Sequence, residues 1–146
     1  MNTRTMSRTA LAIAGAVGVS ASLAACSQVA SVEVGSCVNT SDLEGEVTDI
    51  PTVECTEEHD AQVFHKFDLE DGDFPGQDKV DSTAEEGCAD EFEGFVGSAL
   101  EESDLGVNYM PPNEETWTKV DDREVLCFLV TRDGSTVTES FEGSGL

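Results

Sequence analysis

Beyond residue 60 the chain carries two kinds of hydrophobic period. Residues 61–69 (AQVFHKFDL) alternate, which predicts a strand with Val63, His65, Phe67 and Leu69 on one face. From residue 77 to about residue 100, Val80, Ala84, Cys88, Phe92, Phe95 and Ala99 recur at steps of three or four. That spacing predicts one main helix with Cys88 on its buried stripe, weakened toward its end by Gly87, Gly94 and Gly97. Residues 124–131 (EVLCFLVT) form a nearly continuous apolar run suited to a central strand. Residues 136–141 are its expected hairpin mate, turned at Asp133-Gly134. The remaining stretches are weaker. Residues 32–35 read as a brief extended start, 39–45 as acidic turns, and 47–53, with Pro51, as an edge strand at most. Residues 70–76 and 101–108 read as loops, 111–117 as one helical turn after the prolines, and 142–146 as a frayed tail. The expected architecture is α+β: a small antiparallel sheet with one main helix on a face.

The N-terminus follows a different pattern. Residues 1–9 are polar and hold Arg4 and Arg8, and residues 10–25 are uncharged and rich in Ala, Val, Leu and Gly. This is the order of a secretory signal. Its apolar run of about 16 residues falls short of the roughly 20 that a spanning helix needs. Arg4 and Arg8 are not adjacent, so the general secretory route is expected. Leu23-Ala24-Ala25-Cys26 resembles the lipobox of bacterial lipoproteins. The resemblance implies cleavage between Ala25 and Cys26 and a thioether-linked diacylglycerol on Cys26, with N-acylation left open. Two acyl chains hold a protein stably on a membrane where one does not. The expected layout is a lipoprotein signal peptide over 1–25, a short tether over 26–31 and a domain over 32–146. The expected location is the outer face of the cytoplasmic membrane.

Five cysteines, Cys26, Cys37, Cys55, Cys88 and Cys127, are an odd number for an exported chain. Assigning Cys26 to lipid leaves four, enough for two disulfides in an oxidising exterior, with three connectivities open. Faces favour one of them. In the 124–131 strand Cys127 points with Val125 and Leu129, and Cys88 lies on the apolar stripe of the helix. A helix packed on that sheet brings Cys88 to Cys127 and leaves Cys37 with Cys55. In the chain-entropy account these crosslinks contribute roughly 4 and 3 kcal/mol.

Charge then removes whole classes of function. The formal net charge is -24, and without residues 1–25 it becomes -26. Such a surface repels phosphate backbones, so no nucleic-acid partner is expected. Divalent cations should gather on it weakly and without specificity. Residues 68–73 (DLEDGD) fail as an EF-hand loop: glycine falls at the fifth place and Lys79 stands at the twelfth. His59 and His65, six residues apart on extended chain, cannot share an ion, so no metal site is expected. No Gly-x-Ser-x-Gly elbow or Ser-x-x-Lys motif occurs. Among 31 acids a carboxylate pair carries no information about catalysis. No cofactor and no catalytic residue are expected. Tyr109, Phe74 and Trp117 read as core or groove aromatics before they read as a binding patch.

Several segments together resemble the septum formation family of small actinobacterial envelope domains. They are Gly35-Ser36-Cys37, residues 53–63 (VECTEEHDAQV), Phe74-Pro75-Gly76, Cys88, Trp117 and Asp122-Arg123-Glu124-Val125-Leu126-Cys127. The departures are Glu58 where Pro is usual, Gln62 where Glu is usual and Asp121 where Gly is usual. The resemblance implies two disulfides, a structural His59 bonding the backbone after Cys55, and an Arg123 paired with nearby acids. It supplies no reaction. The expected function is a lipid-anchored, non-enzymatic envelope module with an unidentified envelope protein as partner. The alternatives are a small solute- or cation-binding lipoprotein and, third, an envelope hydrolase.

Overall fold

The computed structural model describes residues 29–45, 47 and 49–146. The leader and the lipobox, with Ala25 and Cys26, lie outside the described residues. Four strands make one antiparallel sheet in the order β1-β2-β4-β3: β1 Cys37–Val38, β2 Ala61–Asp68, β3 Leu105–Met110 and β4 Glu124–Thr131. Helix α1, Gln77–Val96, crosses one face, and helix α2, Glu114–Val120, joins β3 to β4. The fold is α+β with two disulfides, Cys37–Cys55 and Cys88–Cys127. No described helix is long and apolar enough to cross a membrane.

The helical stripe packs as expected through Phe92; the helix then ends at Val96, which takes the last buried place, so that Phe95 is half-buried and Ala99 lies beyond the helix. Val80, Ala84, Cys88, Phe92 and Val96 are all buried, against Phe64, Val125, Cys127 and Leu129 of the sheet. Gly87 has a positive role here: a β-carbon at this position would stand 2.4 Å from Cζ of Phe67, so the glycine lets α1 approach β2. Gly97 ends the helix in the left-handed conformation (φ 90°), its N–H bonded to Glu93 O at 2.9 Å. Helix α2 runs two turns instead of the expected one. Asn113 Oδ1 accepts from the N–H groups of Glu115 and Thr116, and Asn113 N–H donates to Thr116 Oγ1, a reciprocal cap.

The opposite face of the sheet is covered by the N-terminal segment and the 3-10 turn Thr40–Leu43. Ala30, Val32 and Ile50, with Leu43 and Val47 beside them, pack on Val63, Leu126 and Phe128. The last residues of the predicted tether therefore belong to the packed globule, and Ser31 Oγ donates to Glu124 Oε1 at 2.9 Å.

Four expectations about the strands are corrected. Residues 105–108, expected in the 101–108 loop, form β3 together with Tyr109 and Met110 and take the outer flank of β4, Leu105 opposite Thr131 through Met110 opposite Leu126. Since β2 holds the other flank, residues 136–141 have no place beside β4 and are not its hairpin mate. They fold back so that Val137 bridges His59, and Phe141 is buried in the α1-side core. Among the described residues of the 47–53 segment only one bridge forms, Val53 to Cys37; Pro51 has no N–H to extend a ladder. Finally, β2 bulges between Val63 and His65. Val63 opposes Phe128 on the N-terminal side, whereas His65 and Phe67 oppose Cys127 and Val125 on the helix side. The extra residue, Phe64, is buried against Phe92 and Phe95 of α1.

Candidate functional site

The family-like residues gather into two clusters at different places on the sheet. The first surrounds Cys37–Cys55, whose α-carbons are 5.3 Å apart. His59 is fully buried. Its backbone exchanges two bonds with Val137, at 3.0 and 2.8 Å. Nδ1 lies 2.9 Å from Glu57 O. A carbonyl only accepts, so Nδ1 donates, and Nε2 has no hydrogen-bond partner among the described residues. Beside it the buried Gln62 ties three segments together. Its Nε2 donates to Gly35 O and to Ser140 Oγ, each at 2.9 Å, and its Oε1 accepts from Phe141 N–H at 2.7 Å. The amide can donate to Gly35 O; an ionised carboxylate there could not.

The second cluster fastens the 69–76 loop to the α2–β4 corner. Trp117 is 5% exposed, meets Phe74 edge-on at 5.7 Å and donates from Nε1 to Gly72 O at 2.9 Å. The Arg123 guanidinium lies 3.8 Å over the indole. Its Nη1 donates to the carbonyls of Trp117 and Asp122, its Nη2 to Asp121 Oδ1 at 2.9 Å, and Asp71 stands 3.8 Å from Nε. Asp121 is the one non-glycine residue with positive φ (57°) among the described residues. The left-handed conformation accounts for a usual glycine here, and aspartate tolerates it better than most residues. The acidic 68–73 stretch thus faces a built-in cation. Trp117 and Phe74 pack on each other as core aromatics.

Cys88 and Cys127, both fully buried with α-carbons 5.5 Å apart, pin α1 to the central strand. Tyr109 on β3 faces α1, where burial and then the charges of Glu85 and Asp81 push its phenol above the ordinary value. A groove of about 540 Å³ opens beside the N-terminal segment, with Val29, Ala30, Val47, Met110, Val120 and Leu126 among its walls. At its rim Lys119 pairs with Glu115 at 2.6 Å, and that hydrogen bond holds the Glu115 carboxyl below its usual range.

The free edge of β3 is partly closed by side chains in and beside the strand. Arg132 N–H donates to Asp104 O on the β4 side, so alternation turns the polar groups of Leu105, Val107 and Tyr109 outward. Ser103 Oγ accepts from Leu105 N–H, Arg132 Nε donates to Leu105 O, and Asn108 Oδ1 accepts from Tyr109 N–H. Such stoppering discourages strand addition.

The sequence model described as septum formation matches residues 8–140. The chain belongs to the septum formation family. No curated protein and no solved structure gives a significant match. As a family member the chain holds Cys37, Cys55, His59 and Gln62 in one cluster and Trp117 with Arg123 in the other, while Cys88 and Cys127 join helix to sheet. His59 and Arg123 fill the structural roles expected of them. His65, stacked on Phe67 at 5.6 Å, stands apart from the cysteine–histidine cluster. Sequence reasoning missed Gln62 as a buried three-way tie, because an isolated polar residue in an alternating strand reads as solvent-facing. It also missed the groove, whose walls come from segments distant in sequence.

Proposed function

We propose that this septum formation protein is a lipid-anchored, extracytoplasmic and non-enzymatic module that contributes to septum or envelope assembly through protein contacts. The family match over residues 8–140 carries the septal, envelope-associated part of the reading. Anchoring rests on the lipobox ending at Cys26 and on a globule in which Ala30, four residues later, is the first buried residue among those described. A binding role is supported by how the family-like polar groups are used. Gln62 and Arg123 bond backbone in neighbouring segments, which stiffens the scaffold and leaves the surface for recognition. Edge pairing is the disfavoured way to recruit a partner, because the β3 edge is stoppered. The groove beside the tether is the better-shaped place.

The groove also keeps a second reading in view, that of a small-solute lipoprotein. Three experiments divide them. A functional fluorescent fusion should gather at division sites, and crosslinking in cells should give a discrete envelope-protein adduct that substitutions at Met110 and Val120 reduce. Uniform distribution with no adduct would defeat the assembly role. A melting shift of several degrees with one small solute, abolished by the same substitutions, would favour the second reading.

A further inference from the structure

The unpartnered nitrogen of His59 stands out because a fully buried polar atom without a hydrogen bond costs on the order of 1–3 kcal/mol. Its surroundings give it a use. Cys37 Sγ, Cys55 Sγ and a ring nitrogen of His59 all lie within 4.8 Å of one another. We propose that these three residues form a redox-gated site for a thiophilic cation of the zinc class, closed as the disulfide and opened on its reduction by a dithiol.

Three features fit that chemistry. Tetrahedral zinc with Zn–S of about 2.3 Å and Zn–N of about 2.0 Å has ligand-to-ligand edges of about 3.5 to 3.8 Å. The ring nitrogen lies within 4.8 Å of both sulfurs, about one ångström beyond that edge, and the two sulfurs, bonded in the disulfide, move apart to it on reduction. Nδ1 donates to the Glu57 carbonyl, which leaves Nε2 as the ring nitrogen available to a cation. A backbone acceptor of this kind is the usual outer partner of a metal-ligating histidine and fixes the ring for coordination. Two thiolates and an imidazole select soft or borderline cations over calcium and magnesium.

The gate is selective by burial. Cys55 is partly exposed, whereas Cys88 and Cys127 are fully buried, so a dithiol reaches Cys37–Cys55 first. Reduction transfers two electrons and two protons: the dithiol becomes a disulfide, the Cys37–Cys55 bond breaks and two thiols form. Metal binding then displaces both thiol protons, forming two metal–sulfur bonds and one metal–nitrogen bond, with water in the fourth position. The loaded site would still join residues 37 and 55, so a metal replaces the covalent staple.

The test uses the folded chain, treated with dithiothreitol until alkylation mapping shows Cys37 and Cys55 free and Cys88–Cys127 intact. After anaerobic removal of the reductant, Co(II) is added and then displaced by Zn(II). The expected result is one Co(II) per chain with thiolate charge-transfer absorption and tetrahedral visible bands. Zinc should raise the melting temperature of this half-reduced protein by several degrees and leave the oxidised protein unchanged. His59→Asn should weaken zinc binding about tenfold or more, whereas His65→Ala should not. X-ray absorption of the zinc-loaded wild type, which holds even if His59→Asn fails to fold, should count two sulfur ligands and one imidazole. Absence of cobalt uptake, a sulfur-only shell, equal effects of the two histidine substitutions, or preferential opening of Cys88–Cys127 would each overturn the proposal.

Discussion

Gly87→Ala sets two opposing effects against each other. In the interior of a helix, alanine is favoured over glycine by about 1 kcal/mol. On propensity alone the substitution should stabilise α1. The structure opposes this: the new methyl would meet Phe67 Cζ at 2.4 Å, Cε1 at 2.8 Å and Cε2 at 3.1 Å. Three ring atoms cannot be cleared by a small rotation, because the ring also stacks on His65 at 5.6 Å. Either Phe67 leaves its place or α1 lifts from the sheet beside Cys88. Overpacking of this kind costs about 1–3 kcal/mol. The net expectation is a loss of about 1 kcal/mol, or about 4 °C in melting temperature for a domain of this size. Thermal and urea unfolding by circular dichroism measure it. Phe67→Leu in the same chain should restore the helix-propensity gain, so the double variant should be at least as stable as Phe67→Leu alone. A Gly87→Ala protein more stable than wild type, or a loss of the same size with and without the Phe67→Leu change, would refute the close-approach account.

Three further outcomes follow from the packing. Gln62→Leu removes the partners of Gly35 O and Phe141 N–H together and should cost about 2–4 kcal/mol, read by urea denaturation, with increased protease cleavage after residue 135. Tyr109 is the sole tyrosine, so its titration by phenolate absorbance should have a midpoint above 10.0, and Glu85→Gln should lower it. Because the folded state raises this value, the associated stability is present below the unfolded-state midpoint and is lost as pH rises through the folded-state one. Asn108→Val with Ser103→Ala unstoppers the β3 edge and should shift the protein toward dimers in sedimentation experiments; a persistent monomer would mean those side chains do not guard the edge.

What was legible in the sequence were the elements with strong periods. The α1 stripe and the apolar run of β4 were readable, and their faces were enough to pair Cys88 with Cys127. Residues 105–110 escaped although Leu105, Val107 and Tyr109 alternate, because Gly106 and Asn108 are poor strand formers and tertiary pairing with β4 decides the matter. The bulge at Phe64 was equally hidden. Alternation assumes an unbroken pleat, and one inserted residue reverses the face of everything after it. Asp121 could be flagged as a departure from the family pattern, yet only its positive φ explains why glycine is usual there. The cysteine–histidine cluster was beyond reach for a plainer reason. On the sequence His59 has only His65 as a fellow ligand, because the cysteines are taken up by disulfides and lipid.

Intact mass spectrometry of the protein extracted from native membranes tests the central claim most directly. The account predicts a chain that begins at Cys26 and carries the added mass of a diacylglycerol, with or without one further acyl group. A mass that retains residues 1–25, or a mature chain beginning with an unmodified Cys26, would contradict it.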